Sequence, residues 1–538
     1  MTKAKITLKD DQKSKPEQGI TRISVSGYKS LAEECSIEIA PLTILSGANS
    51  SGKSSIMQPL LLMKQTLEST YDAGSLKLNG ANVRLTSTDQ IFTKSLSKTS
   101  SPVSSFSIAI CLNQNRTLIN TFRKEAQSSS IKILSSTYKY EDIISVSLYT
   151  EMKHEKILDA LPPHFQDFYH KKYDEEKEAW QDFKLSFEPQ GIKISPSFAY
   201  GHRFFKSLNE RFVSTDNLVN HPSGQRAFEQ GVRDQLLVEL DNFYRLSVKI
   251  NKCFLYIDSQ FLLSTIFYSR FDLELNSQPY IDYSNLFGFF DGNGLSRDVE
   301  NQIRRIIHVP GLRGNPERNY PVTAVGEDFT GTFENYVASI IHDWKNNKDN
   351  RLKLLSEALQ TLGLTWKVDT KKIDDTQVEV RVGRLKNKGN SKSTDMVSIA
   401  DVGFGLSQTL PVVVALLVAE PEQLVYLEQP EIHLHPRAQA NLAQLLVEAA
   451  NRGVRVVVET HSELLIRRVQ SLIAEDKIAA EKVKLHWFSQ DDNGFTKVTT
   501  AELDETGAFG DWPEDFSEIS LQEESRYLDA AESKLMAV

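Results

Sequence analysis

The sequence predicts a three-layer α/β fold interrupted by a long, mainly helical insertion, and three features carry that expectation. Gly47-Ala48-Asn49-Ser50-Ser51-Gly52-Lys53-Ser54 satisfies the GxxxxGK[ST] pattern between an apolar run and a helical stretch. Residues 397–469 alternate strand-like and helix-like segments with short joints, as a parallel sheet covered by helices requires. The acidic strand end that would complete a phosphate site, Tyr426-Leu427-Glu428, lies far downstream of the loop. The two stretches are therefore read as one interrupted domain.

Residues 20–25, 36–39 and 42–45 read as strands around a turn at Gly27-Tyr28-Lys29-Ser30, and residues 54–67 as the helix after the loop. Backbone N–H groups of the loop and the helix N-terminus would converge on a β-phosphate, with Gly47, Asn49, Ser50, Ser51, Gly52, Lys53, Ser54 and Ser55 lining the nucleotide. Lys53 would neutralise β- and γ-phosphate oxygens, and the Ser54 hydroxyl would enter the shell of a Mg²⁺ ion. Pro59 is expected to bend or break the helix, because it lacks an N–H donor.

Short alternating runs between residues 70 and 150 predict an antiparallel sheet. From 151 to 345 the charge and aromatic density of 153–184 and the helical spacing of 223–244 and 333–344 predict the insertion. Sustained heptads are missing, so a coiled-coil arm is not expected. Residues 351–362 should be helical, 377–382 a strand, and 386–394 an exposed hairpin or loop. The expected organisation is a flexible start at 1–19, the first part of the domain at 20–150, the insertion at 151–345, the second part at 346–480 and a tail at 481–538.

In the second part, residues 397–400 precede the glycine loop Asp401-Val402-Gly403-Phe404-Gly405-Leu406-Ser407-Gln408, with an apolar helix expected from Thr409. Glycines let backbone approach a ligand, and a helix start offers unpaired donors to an anion. Strands at 424–427 and 454–458 are each followed by a helix, at 439–449 and 462–469. Glu428 ends the first of these strands and would hold Mg²⁺, directly or through water, across from Ser54. His461, flanked by Thr460 and Ser462 after the second, is placed to orient a γ-phosphate and an attacking water.

With 538 residues and 40% hydrophobic content, the chain has room for two or three cores. A net charge of -9 gives no global attraction to nucleic acid, so such contact would need a local basic group. The candidates are Arg304-Arg305 with His308 and Arg313, Lys371-Lys372, Lys386 with Lys388, and Arg467-Arg468. Three scattered cysteines, Cys35, Cys111 and Cys253, fit a reducing compartment. The polar start lacks the apolar core of a signal peptide, and no run approaches the roughly 18 apolar residues of a membrane span. A cytoplasmic location without membrane association is expected.

Taken together these motifs resemble an ABC-type ATPase of the SMC, RecF and OLD-like group. Gly27 to Leu31 is similar to the opening of that group, Gly47 to Ser54 to its Walker A loop, and Gly403 to Gln408 to its signature loop. Glu428 matches the Walker B acid, His433-Leu434-His435-Pro436 lies in the D-loop region, and His461 matches the switch histidine. Gly507 to Phe516 resembles the DUF3696-type tail of bacterial AAA-family ATPases. The resemblance covers about residues 20–100 and 395–516, and implies an ABC/SMC-like ATPase head using ATP and Mg²⁺. It also implies a dimer in which ATP is sandwiched between heads, with Gly405, Ser407 and Gln408 reaching the nucleotide of the partner.

One departure matters. The family places a glutamate after the Walker B acid, whereas this chain has Gln429, which orients water but is no comparable proton acceptor. Slow hydrolysis and a long-lived ATP-bound state are therefore expected, with Lys53, Glu428, Gln429 and His461 as the catalytic set. The tail after Ser471 is too short for an appended nuclease domain. The preferred reading is a sensor and scaffold in antiphage defence that controls a separate effector such as an HNH nuclease, as in Septu-type or retron-associated ATPases. DNA or RNA, including retron msDNA, would be a further partner. The alternatives are a RecF/SMC-like DNA-repair ATPase and an ATPase that regulates a non-nuclease toxin.

Overall fold

The computed structural model describes residues 19–94, 104–112, 116–125, 130–140, 144–181, 185–188, 191–194, 230, 240–242, 244–258, 294–326, 328–384, 395–510 and 525–529. They fall into two compact units, one within 1–145, 251–254 and 295–538, the other within 146–250 and 255–294.

In the first unit β1 (Ile20–Ser26), β2 (Cys35–Glu38) and β3 (Leu42–Gly47) lead into α1 (Lys53–Leu67). Then come β4 (Ser105–Leu112), β5 (Arg116–Lys124) and β6 (Ile131–Tyr140), an antiparallel sheet in the order β2-β1-β4-β5-β6. Alternating burial along β6 reflects the period-2 pattern seen in the sequence. β7 (Ile144–Tyr149) carries the chain out of this unit.

The second unit holds α2 (His154–Ala160), α3 (Pro163–Gln181) and the hairpin of β8 (Leu185–Glu188) with β9 (Gly191–Ile194). Within it the Tyr169 hydroxyl donates to Tyr244 O at 2.7 Å, and the two rings meet edge to face. β10 (Ser247–Asn251) and β11 (Phe254–Asp258) pair as a two-stranded sheet. The described part of the insertion thus combines helices with hairpins. Most of 223–244, and all of 386–394, lie outside the described residues.

Residues 295–345, placed by the sequence in the insertion, belong to the first unit. They form α4 (Leu295–Arg304), the short β12 (Ile307–Val309), β13 (Tyr320–Pro321) and α5 (Val337–Asn346). α6 (Arg351–Thr361) follows, then β14 (Val368–Lys372), β15 (Gln377–Gly383) and β16 (Met396–Ser398), which with β13 make a small antiparallel sheet. The domain closes with α7 (Phe404–Val418), β17 (Leu424–Glu428), α8 (Pro436–Asn451), β18 (Arg455–Glu459), α9 (Glu463–Ala474), β19 (Val483–Gln490) and β20 (Thr496–Ala501).

These elements build the central sheet, in the order β12-β17-β18-β3-β19-β20. Its first five strands are parallel and β20 is antiparallel. β3 and β18 are buried at every position, which is why they read as continuous apolar runs. α1 packs on β3, α8 on β18 and β3, and α7 on β12 and β17. The fold is α/β, as expected.

Two local expectations differ from the structure. α1 runs unbroken through Pro59, which is buried and whose missing donor forfeits one bond, so the helix is not broken there. α7 begins at Phe404 rather than at Thr409, because Gly405 lets the first turn lie on the 433 carbonyl: a Cβ there would stand 3.0 Å from His433 O. Among the described residues no helix is long and apolar enough to cross a membrane.

Candidate functional site

Parallel pairing aligns the carboxyl ends of β12, β17, β18 and β3 on one edge. Glu428 pairs in register with Glu459, Glu459 with Leu45, and Gly47 with Phe488 of β19. Such an edge is where an open α/β sheet exposes its ligand crevice.

The loop after β3 is shaped by backbone that only glycine adopts easily. Gly47 has φ +140°, and a Cβ there would lie 2.1 Å from Phe488 O; Gly52 has φ +101° and caps α1. Asn49 and Ser50 are exposed at the tip, Ser51, Gly52 and Lys53 are buried, and Ser54 and Ser55 are half-buried. Ser51 Oγ donates to Ala48 O at 2.8 Å, Gln490 Nε2 donates to Ser50 O at 3.0 Å, and the Thr496 hydroxyl lies 2.8 Å from Ser51 O. β19 and β20 thus brace the loop from behind. Gly47→Ala should lower stability by about 2 kcal/mol or more, read as a fall in the thermal midpoint, since the clash is with backbone that cannot turn aside.

Lys53 Nζ donates to the loop's own carbonyls, Gly47 O at 3.1 Å and Ala48 O at 2.7 Å. Burial lowers its pKa and Glu459 works against that. Ser54 Oγ faces the Glu459 carboxylate at 3.0 and 2.8 Å, and Tyr426 donates its phenol to the same carboxylate at 3.0 Å. Burial, and then the nearby Glu428 charge, raise the Glu459 pKa.

Glu428 was expected across from Ser54, but it sits farther off, tied to other groups. β18 lies between β17 and β3, which puts Glu428 two strand spacings, about 10 Å, from the loop strand. Its Oε1 is 3.2 Å from His308 Nε2, and its Oε2 accepts from Gly311 N at 3.0 Å. Burial works to raise its pKa, but His308, Gly311 and Tyr426 outweigh it and the carboxyl titrates low. The buried His308 ring stacks on Tyr426 at 5.4 Å. Gln429 has φ +43° and donates its backbone N–H to Glu459 O at 2.8 Å.

Arg313 ties the neighbouring elements together. Its guanidinium donates to Gln408 O at 3.0 Å, Glu428 O at 2.9 Å and Gln429 O at 3.5 Å. Burial pushes its pKa down to about 10, so it stays charged at neutral pH. Of the basic group proposed for nucleic acid, His308 and Arg313 are therefore buried beside the strand ends, Arg304 pairs with Glu300 and Arg305 with Glu420. The reason is β12: Ile307-His308-Val309 is a buried strand, too short to stand out as one. Its signal was the apolar run ending at Pro310-Gly311. In the other groups, Lys372 pairs with Asp375, Arg467 with Glu463 and Arg468 with Glu475, while Lys386 and Lys388 lie outside the described residues.

His461 is exposed, its backbone N–H held by Glu431 Oε1 at 2.9 Å, with Thr460 Oγ1 donating to the same oxygen at 2.7 Å. Burial of part of its ring and the Lys53 charge lower its pKa. Ser462 caps α9 by accepting from Leu465 N at 3.1 Å. In the glycine loop the Ser407 hydroxyl donates to Phe404 O at 3.0 Å near the surface. Gln408, by contrast, is buried and donates through Nε2 to Gly314 O at 3.1 Å. Its side chain faces the β12–β13 connection.

The profile of the AAA ATPase domain family matches residues 19–466. The chain belongs to this family. No curated protein sequence matches this ATPase chain. Similar solved structures include an SMC head bound to the C-winged helix domain of ScpA, at 12% identity and TM-score 0.39, over 90% of this chain and 98% of that one. The SMC head domain of Thermotoga maritima is 10% identical at TM-score 0.34, over 90% and 100% of the two chains. An SMC head with coiled coil and joint derived from Pyrococcus yayanosii is 14% identical at TM-score 0.37, over 94% and 99%.

The residues present suit a magnesium nucleotide. At the loop, the Ser54 hydroxyl and the Glu459 carboxylate are hard oxygen groups of the kind Mg²⁺ takes. Among the described residues no three His, Cys, Asp or Glu side chains form a closed metal cage. A nucleotide-bound Mg²⁺ needs only one or two protein carboxylates beside phosphates and water.

Proposed function

We propose that this ATPase binds ATP with Mg²⁺, hydrolyses it slowly and uses the long-lived bound state to control a separate effector. The observation behind this reading is the single sheet edge on which the Gly47 to Ser54 loop, Glu428, Glu459 and His461 meet. A bound Mg²⁺ would polarise the γ-phosphate. Lys53 would leave Gly47 O and Ala48 O for the phosphate oxygens, Ser54 would face the metal with Glu428 acting from farther out, and His461 would orient the attacking water. Gln429, an amide where the family resemblance implies a glutamate, would position that water without taking its proton.

Gln429→Glu is expected to raise the steady-state rate of phosphate release by roughly 100-fold, the usual size of a general-base contribution. An unchanged rate would remove Gln429 from the mechanism. Gly405 and the near-surface Ser407 are proposed to close on the nucleotide of a second copy, so that ATP joins two heads. Native mass measurements with ATP and Mg²⁺ should then show a dimer that disappears without nucleotide.

The effector proposed is an HNH nuclease in bacterial antiphage defence, on the resemblance of the motifs and tail to Septu-type and retron-associated ATPases. Purification with the products of neighbouring genes tests it: co-purification of a nuclease supports the reading. Recovery of a toxin without nuclease, or preference for gapped or end-bearing DNA, would replace it with the corresponding alternative.

A further inference from the structure

A buried carboxylate needs a cation or a full set of donors, and Glu459 has only part of this. It is 5% exposed, and its side-chain partners are two neutral hydroxyls, those of Ser54 and Tyr426. Lys53, whose charge acts on Glu459, spends its ammonium on Gly47 O and Ala48 O instead. Glu428 is the opposite case, since His308 and the Gly311 N–H already occupy both of its oxygens. Position reinforces the contrast: β18 adjoins β3 directly, whereas β17 is one strand farther away.

We propose that Glu459 is the carboxylate nearest the divalent cation in the nucleotide-bound state, and that its present contact with Ser54 is a latch which the cation replaces. The hydroxyl that now donates to Glu459 is the one a phosphate loop turns towards its metal. Both groups therefore change partner in one event. Ser54 gives up its bond to the carboxylate and presents a lone pair to the cation, and Glu459 exchanges a neutral donor for a positive charge, directly or through a metal-bound water. Tyr426 keeps the carboxylate oriented throughout. Glu428, held by His308, acts from farther out. The cation class is a hard, oxygen-seeking divalent ion such as Mg²⁺ or Mn²⁺.

This inference rests on the proposal that the site binds ATP, and the test separates the two. ATP affinity of the full chain is measured by calorimetry with Mg²⁺ and again with EDTA, and Mn²⁺ binding in the presence of ATP is followed by electron paramagnetic resonance. In the Glu459→Gln variant the gain in ATP affinity on adding metal should fall at least 10-fold and Mn²⁺ binding should weaken alike. Metal-free ATP should bind as well as to the unaltered protein or better, because a negative charge near the phosphates is gone and Ser54 is free. Glu459→Asp, which keeps the charge on a shorter stem, should retain part of the gain, and Glu428→Gln should lose less of it than Glu459→Gln.

An unchanged metal-dependent gain in Glu459→Gln would overturn the proposal. Equal weakening of metal-bound and metal-free ATP would also overturn it, because that is the mark of a purely structural residue. Failure of the unaltered protein to bind ATP under either condition would sink the nucleotide reading itself, before any variant is compared.

Discussion

Replacing Lys53 by Met is expected to lower ATP affinity by 100-fold or more while leaving the fold intact. A charge-assisted hydrogen bond contributes about 1.5–3 kcal/mol, and Lys53 would make two, to β- and γ-phosphate oxygens. The loss is about 3–6 kcal/mol, a factor of roughly 10²–10⁴ in affinity. The structure adds a second part to this effect. In the free protein the ammonium caps Gly47 O and Ala48 O, so the lysine also holds the loop closed on itself. Its removal frees two carbonyls that can point towards an anion, which weakens phosphate binding further. Calorimetric titration with ATP and Mg²⁺ checks the affinity, and an unchanged thermal midpoint separates lost binding from lost folding. Near-normal affinity in Lys53→Met would mean that phosphates do not sit in this loop.

Arg313→Ala should be the most destabilising single change near the site, and Arg313→Lys should recover only part of the loss. One planar guanidinium serves the carbonyls of Gln408, Glu428 and Gln429. Without it the Gln408 and Glu428 carbonyls each lose a buried charged donor, at about 1.5–3 kcal/mol per bond. A lysine restores the charge as a point but not the fork that reaches α7 and the β17 end together. Unfolding curves report the stability loss. Phosphate release should fall with it, since the 428–429 turn would no longer be fixed. Wild-type stability and turnover in Arg313→Ala would show that the contacts are incidental.

The two halves of the site were legible to different degrees. The loop from Gly47 to Ser54 could be read in advance because its chemistry is local: glycine φ values, a lysine and a hydroxyl at fixed spacing between strand and helix. Glu428 and His461 could also be placed, because buried parallel strands appear as uninterrupted apolar runs and their carboxyl ends face the same way. The extent of α1 is close to what the sequence implies, and the helix does not break at Pro59. Local propensity argues for a break there, and burial of the ring in the core overrides it.

Spatial adjacency between distant segments carries no local mark in the sequence. His308 and Arg313 looked like members of a surface basic group beside Arg304 and Arg305, because four nearby basic residues carry no mark of which are buried. Pairing of Ser54 with Glu459 rather than with Glu428 depends on which strand enters between β3 and β17. Strand order is a long-range property, and a single sequence does not encode it in any local pattern.

The sequence by itself determined that this chain is an α/β protein with a phosphate loop, an acidic strand end and a histidine after the next strand. Each of these is carried by residues within one element and its flanking turn, where backbone geometry and side-chain chemistry are set by near neighbours. Only the tertiary structure decided which carboxylate the Ser54 hydroxyl meets, that His308 and Gly311 restrain Glu428, and that Arg313 joins the glycine-loop helix to the strand end. Those contacts follow from the order in which distant strands pair, and that order is settled by packing of the whole core.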